Sequence, residues 1–161
     1  MSLTEEDVSV QKSIRVKANA DTAFRVFCQD MDSWWPRSHH IGSSPMTKLV
    51  VEGRRGGRLY SEQQDGTACD WGEVLEWEPP RRFVMAWKIT PKWGYEADLS
   101  KCSEVEVTFT PADDGTTLVE LEHRFFNRHG EGAEIMRETV NKEGGWSTLL
   151  MLFQSKAEAQ S

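Results

Sequence analysis

The sequence predicts an α+β domain in which an antiparallel sheet packs against a long C-terminal helix. Segments of strand-like alternation run together through the middle of the chain, while the helical patterns lie toward its two ends. The last of these patterns carries an apolar stripe long enough to cover a sheet. The 161 residues suit one domain. We therefore expect a single domain over residues 1–161, with frayed ends at 1–7 and 155–161.

The N-terminal part of the chain is predicted to form a strand and then a short helix. Apolar residues share one parity across 8–18, with Lys12 as the exception, which indicates a half-buried strand. Asn19 is a favourable N-cap, and Asp21 suits the positive end of the helix that follows. The helix carries core-facing residues at helical spacing, namely Ala20, Phe24, Phe27 and Met31.

Two adjacent tryptophans and two adjacent histidines come next. Pro36 is predicted to end the short helix that carries Trp34 and Trp35, one of which should turn inward. His39 and His40 lie among polar residues and turn formers, so we expect them to face solvent. Because neighbours in an extended loop point in opposite directions, the pair is not expected to hold a metal.

The middle of the chain is predicted to supply a run of antiparallel strands, about six to seven with the first one. The turn at Asp65-Gly66 and the break at Pro79-Pro80 separate three of them, and 113–116 forms a hairpin turn. The connection that contains Trp93 and Tyr95 is either a lid or a cap of the sheet edge. The predicted strands lie within 47–51, 56–89 (three strands), 103–110 and 118–126.

Two helices are predicted to follow the last strand. In that strand Val119, Leu121, His123 and Phe125 share one face. A short amphipathic helix then carries Ile135, Met136, Thr139 and Val140, and Gly144-Gly145 ends it. The stripe of the final helix consists of Trp146, Leu149, Leu150 and Phe153.

Composition excludes several classes of function. The net charge is −7 and the pI about 5.1, which disfavours binding to nucleic acid. Three widely spaced cysteines without a C-x-x-C motif indicate free thiols, and the sequence contains no signal-peptide pattern and no apolar run long enough for a membrane span. We therefore expect a cytoplasmic protein without a metal, a cofactor or a membrane partner.

The excess of tryptophan is the main clue to function. Seven tryptophans stand against two tyrosines, and such a chain lines a pocket or packs an unusually aromatic core. A sheet that wraps around one helix tends to enclose a space, which is a natural ligand cavity. The residues predicted to line it are Trp34, Trp35, Trp71, Glu73, Met85, Trp87, His123, Phe125, Trp146 and Leu150.

His123 interrupts an otherwise apolar row and must find a hydrogen-bond partner if it is buried. Glu73 is one candidate, because its strand shows Trp71 and Trp77 at the same parity. The histidine is either a satisfied structural residue or a polar anchor for a ligand, and a His123–Glu73 pair for general acid–base catalysis is a further alternative. No nucleophile motif is evident, so no catalytic residue is assigned.

Several phrases, in their order along residues 14–153, resemble one family. They are WWPRSHHIG, GGRLYSEQQDG, DWGEVLEWEPPRRFVMAW, VEVTFTP, GTTLVELEHRFF, HGEGAEIMRETV and GGWSTLL. The chain resembles the START-like (SRPBCC) superfamily, and within it the family named after the activator of the heat-shock-protein-90 ATPase.

The resemblance implies a helix-grip fold, with a curved antiparallel sheet around the long C-terminal helix and short helices near the N-terminus. Together with the excess of tryptophan and the layout of sheet and helix, it favours a small-molecule-binding protein that holds an apolar or aromatic ligand between sheet and helix. A cyclase- or hydrolase-type enzyme that uses His123 with a carboxylate is the first alternative, and a chaperone-interacting module is the second. A homodimer is compatible with the sequence, and a chaperone partner is disfavoured because the chain is a lone module.

Overall fold

The computed structural model describes residues 9–37, 44–92, 94–142 and 145–160. Within these ranges the strands are β1 (Val10–Val16), β2 (Met46–Val51), β3 (Arg58–Gln63), β4 (Ala68–Glu78), β5 (Arg82–Trp87), β6 (Ser103–Pro111) and β7 (Thr117–Arg124). The α-helices are α1 (Ala20–Phe27), α2 (Ala133–Asn141) and α3 (Trp146–Ala159). The strands form one antiparallel sheet in the order β1-β7-β6-β5-β4-β3-β2. This arrangement confirms the α+β class, the helix-grip fold and the predicted turns between strands.

Local signals fix where α1 begins and which side it buries. The side chain of Asn19 accepts a hydrogen bond of 2.8 Å from the backbone N–H of Thr22, as predicted for an N-cap. The four residues placed on its core-facing stripe are all buried, namely Ala20, Phe24, Phe27 and Met31. A 3-10 turn spans Met31–Ser33 and ends before the tryptophans. The prediction that this short helix carries Trp34 and Trp35 was therefore wrong.

Helix α3 covers the inner face of the sheet with the predicted stripe. Gln154 Nε2 donates to the backbone oxygen of Arg15 at 2.8 Å, and Glu158 accepts from the backbone N–H of Lys17 at 3.0 Å. These contacts fasten its C-terminal half to β1. Ala157 is fully buried, so the helix continues through most of the segment predicted to fray at 155–161.

The core has two aromatic ends. One is the phenylalanine cluster, in which ring centroids lie 5.1 to 6.4 Å apart. The other is the tryptophan cluster, which is described below with the site. Trp34 lies between them, 5.2 Å from Phe27 and 5.7 Å from Trp35 by ring centroids. The phenylalanine cluster consists of Phe24, Phe27, Phe83, Phe109 and Phe153.

The outer face of the sheet is charged rather than apolar. Arg124 forms ion pairs with Glu106 at 2.7 Å and with Glu104 and Glu122 at 3.2 Å. The alternation of β6 and β7 places these carboxylates opposite the inward-facing residues. One face of the central strands is therefore fixed toward α3 and the other toward solvent.

The amphipathic pattern of α2 is confirmed only in part. Met136 and Val140 are buried together with Ala133, whereas Ile135 is 54% exposed. Helix α2 contacts the core through a narrower stripe than predicted. Val8 and Gly144, which belonged to predicted elements, lie outside the described residues.

Candidate functional site

Four tryptophans form a closed circuit of ring contacts between the sheet and α3. Centroid distances are 5.2 Å for Trp35–Trp71, 5.8 Å for Trp71–Trp87, 5.6 Å for Trp87–Trp146 and 6.1 Å for Trp146–Trp35. All four side chains are buried. We call this group the tryptophan cluster. It lies where the sequence predicts a ligand cavity, and in this structure the indole rings fill that position.

An irregularity in β4 directs Trp71 into the cluster. Leu59 pairs with Gly72 while the next residue of β3, Tyr60, pairs with Asp70, so Trp71 is an extra residue opposite β3. Such a bulge bends the strand and re-aims its side chain. The next residue, Gly72, leaves room for the side chain of Met85, because a Cβ at this position would lie 2.7 Å from Met85 Cε.

The cluster borders a chain of buried hydrogen bonds that begins at the first residue of α3. Trp146 Nε1 lies 3.0 Å from His123 Nδ1, and His123 Nε2 lies 2.7 Å from Ser103 Oγ. Ser103 Oγ is in turn 2.8 Å from Nε2 of His129, which is partly exposed. His123 and Ser103 are fully buried. Strands β6 and β7 thus connect the tryptophan cluster to a residue near the surface.

The donor at one end sets the direction of the whole chain of bonds. An indole N–H can only donate, so His123 Nδ1 accepts and the neutral ring carries its proton on Nε2. Nε2–H therefore donates to Ser103, whose hydroxyl is free to donate to Nε2 of His129. In this arrangement His123 and Ser103 each accept one hydrogen bond and donate one, Trp146 donates at one end and His129 accepts at the other.

Both histidines are held neutral. Complete burial lowers the pKa of His123 well below 6.5, and the nearby His129 lowers it further. Burial lowers the pKa of His129 from 6.5 to about 4, with Glu96 acting in the opposite direction. Neutral rings match the order of donors and acceptors given above.

Most predicted lining residues are buried on the side of the sheet that faces α3. Trp34 and Trp35 are both turned inward, with exposed fractions of 6% and 5%, whereas only one was expected to be. Trp34 Nε1 donates to the backbone oxygen of Val26 at 2.8 Å. Met85 and Leu150 are also buried.

The prediction that Glu73 lines the cavity was wrong. Glu73 pairs with Ala86 in the sheet and lies 3.3 Å from Lys88 Nζ on the outer face. The extra residue at Trp71 reverses the parity on which the prediction depended. The proposed partner of His123 is therefore on the opposite side of the sheet, and Ser103 and Trp146 take its place.

The prediction that Phe125 lines the cavity was also wrong. Strand β7 ends at Arg124, and Phe125 adopts a left-handed conformation with φ 65° that breaks the alternation. Its ring is 39% exposed and lies under the guanidinium groups of Arg128 and Arg124, at 4.2 and 5.4 Å from the ring centroid. Phe126 is buried instead and stacks 4.4 Å from the His123 ring.

Sequence reasoning missed Ser103 and His129. Ser103 begins a strand and shows no motif, and His129 is the last residue of a 3-10 turn whose position depends on the break at Phe125. His39, His40 and Trp93 lie outside the described residues, while Tyr95 is 48% exposed. In the part of the chain that is described, no group of three His, Cys, Asp or Glu side chains is arranged to hold a metal ion, and no helix is long and apolar enough to cross a membrane.

Comparison with known families gives a clear assignment. The model described as activator of Hsp90 ATPase homolog 1-like protein matches residues 17–157. The chain belongs to this family. No curated protein matches the sequence.

Solved structures extend the comparison. The anthrahydroquino-gamma-pyrone synthase Txn09, complexed with SUM, is 37% identical with a TM-score of 0.67, covering 95% of this chain and 99% of that chain. CalC, a self-sacrificing resistance protein from Micromonospora echinospora, is 27% identical with a TM-score of 0.67 and 97% coverage of both chains. The Aha1 dimer from Colwellia psychrerythraea is 15% identical with a TM-score of 0.62, covering 94% and 96% of the two chains, and shows the fold alone.

Proposed function

We propose that this chain binds an apolar or aromatic small molecule between the inner face of the sheet and α3, at the tryptophan cluster. The observation that carries the proposal is the closed circuit of four buried indoles at that position. Indole rings offer wide apolar faces together with one hydrogen-bond donor each, which suits recognition of flat aromatic molecules.

The elements that carry the four rings suggest how a ligand could enter the tryptophan cluster. Trp71 and Trp87 belong to neighbouring strands: Trp87 pairs with Gly72, and the backbone oxygen of Trp71 accepts from the N–H of Lys88. Trp35 follows the 3-10 turn and Trp146 is the first residue of α3, so neither belongs to the ladder. Displacing Trp35 and Trp146 exposes the faces of Trp71 and Trp87 without breaking hydrogen bonds between strands.

The comparisons support a small-molecule ligand. Txn09, at 37% identity over nearly the whole chain, is a synthase described in complex with SUM. CalC, at 27% identity, is a resistance protein. The three free cysteines, Cys28, Cys69 and Cys102, support a reducing cytoplasm as the location.

Titration with the uncharged fluorescent probe N-phenyl-1-naphthylamine tests binding. We expect saturable enhancement of the probe's emission at micromolar concentrations. Trp87→Phe should weaken binding about fivefold, because the smaller ring loses contact area with the probe. Trp77→Phe is the matched control, since Trp77 packs on Phe24 and Phe83 at the other end of the core. Absence of saturable binding, or equal effects of the two substitutions, would contradict the proposal.

A cyclase-type activity is the second candidate, and the ordered chain from His123 through Ser103 to His129 favours it. If a ligand displaces Trp146, the lone pair of His123 Nδ1 is freed to accept a proton at the cluster. We expect the wild-type protein to accelerate exchange of the α-protons of 2-tetralone with D₂O, measured by proton NMR. His123→Phe should abolish the acceleration, and exchange at the buffer rate with wild-type protein would refute this candidate.

A further inference from the structure

Two indole N–H groups of the tryptophan cluster are buried without an acceptor among the described residues. Within residues 9–37, 44–92, 94–142 and 145–160, Nε1 of Trp71 and Nε1 of Trp87 are inaccessible to solvent and have no hydrogen-bond partner. Other buried indoles of the same core are satisfied, since Trp34 donates to a backbone oxygen and Trp146 to His123. The large majority of buried side-chain polar atoms find a partner, so two unpaired donors on neighbouring strands are unusual.

The two indole rings that carry these donors are in contact with each other. The two rings lie 5.8 Å apart at an interplanar angle of 80°, and both belong to the sheet, whereas Trp35 and Trp146 lie outside it. The bulge in β4 presents Trp71, and Trp87 ends β5. The backbone oxygen of Trp71 is already used by the N–H of Lys88 at 3.0 Å. An edge-to-face ring contact is weaker than a hydrogen bond and does not replace one.

Resting on the proposed function, we propose that Trp71 and Trp87 form a donor pair that recognises a neutral carbonyl oxygen of a flat aromatic ligand. The ligand class is thus an aromatic ketone rather than a hydrocarbon. An indole N–H donates only, so the matching group on the ligand is an acceptor.

The groups around Trp71 and Trp87 favour a neutral acceptor on the ligand over a carboxylate. Among the described residues, the other rings in contact with this pair are Trp35, Trp146 and His123, and burial keeps the histidine uncharged. The nearest lysine along the chain, Lys88, forms its ion pair on the outer face. A carboxylate buried among these rings would lack a countercharge, at a cost that a neutral carbonyl avoids.

A matched pair of probes tests the donor pair directly. 9-Fluorenone and fluorene have the same fused ring skeleton, but only fluorenone has a carbonyl group. Fluorene is the more hydrophobic, so burial alone would favour it. We expect fluorenone to bind at least about tenfold more tightly, because the two unpaired donors gain a partner. Trp71→Phe and Trp87→Phe should each reduce this preference, because the smaller ring weakens binding of both probes whereas the loss of the N–H weakens only that of fluorenone.

The indole N–H resonances of the wild-type protein give a second measurement that does not depend on variants folding. In ¹H–¹⁵N spectra, fluorenone should shift the Nε1–H signals of Trp71 and Trp87 downfield. The Nε1–H signal of Trp34, which is already bonded to Val26, is the internal control and should move least. Fluorene should produce no such downfield shifts.

The outcomes separate this inference from the proposed function. If both probes bind and fluorene binds as tightly as fluorenone, the donor pair is wrong and the proposed function stands. If fluorenone is preferred but the two N–H signals do not shift, the donor pair is again wrong. If neither probe binds, the proposed function fails and the inference fails with it.

Discussion

Acid should destabilise this fold through His129, and a single substitution isolates the effect. The folded protein holds the pKa of this histidine at about 4, mainly because of burial, whereas an unfolded histidine titrates near 6.5. Between these values the unfolded chain binds a proton that the folded chain does not. The stabilisation is therefore complete above pH 6.5, falls as the pH drops toward 4, and changes no further below that value.

The magnitude follows from the interval between the two pKa values. The pKa of His129 is 6.5 in the unfolded chain and about 4 in the folded protein. At 1.36 kcal/mol per pKa unit, protonation of this histidine would lower the free energy of unfolding by about 3 kcal/mol. His129 is partly exposed, so solvent screening reduces the expected loss to about 1–2 kcal/mol. Protonation of His123 also lowers the free energy of unfolding as the pH falls, because burial lowers its pKa too.

The variant His129→Gln provides the comparison. The glutamine Oε1 can accept the hydrogen bond from Ser103 that His129 Nε2 accepts in the wild type, but it does not titrate. Urea unfolding at pH 7.5, 5.5 and 4 should show that the variant loses about 1–2 kcal/mol less than the wild type across this range. Contributions from carboxylates and from His123 remain in both proteins and cancel to first order. Parallel losses in the two proteins would refute the assigned burial and neutrality of His129.

Three further predictions concern the packing that holds the site, each measured as a free energy of unfolding in urea. Leu150→Ala should cost about 2–5 kcal/mol as a buried truncation, whereas Met151→Ala, 63% exposed on the same helix, should stay within about 0.5 kcal/mol; similar losses would mean that α3 does not grip the sheet through this stripe. Asn19→Ala should cost about 1 kcal/mol through loss of the N-cap of α1, and an unchanged stability would remove that role. Arg124→Gln should cost about 1–3 kcal/mol by leaving three carboxylates without their shared partner, and a gain in stability would show that desolvation dominates there.

Prediction from sequence succeeded where periodicity ran unbroken. In β6 the alternation placed Val105, Val107 and Phe109 inward, and all three are buried. The same holds for the stripe of α3, because a helix keeps its period over many residues. The fold follows from these regular stretches.

Prediction failed where the backbone departs from its period. The bulge at Trp71 reversed the parity of β4 and moved Glu73 to the outer face. The left-handed conformation of Phe125 ended β7 early, although phenylalanine gives no sequence signal for such a conformation. The contact of Ser103 with His123 joins positions twenty residues apart and depends on the pairing of β6 with β7, so no local pattern could reveal it.

Core packing and ligand binding together explain the excess of tryptophan better than core packing alone. At the phenylalanine cluster the fold fills its core with phenyl rings, which carry no polar atom. At the other end it uses indoles at Trp71 and Trp87, although each leaves a buried donor unpaired, at a cost of about 1–3 kcal/mol apiece. An aromatic core alone does not require that cost, since phenylalanine would provide a smaller ring that carries no polar atom. A polar acceptor that arrives with a ligand would turn the same two donors from a liability of the free protein into a source of binding affinity.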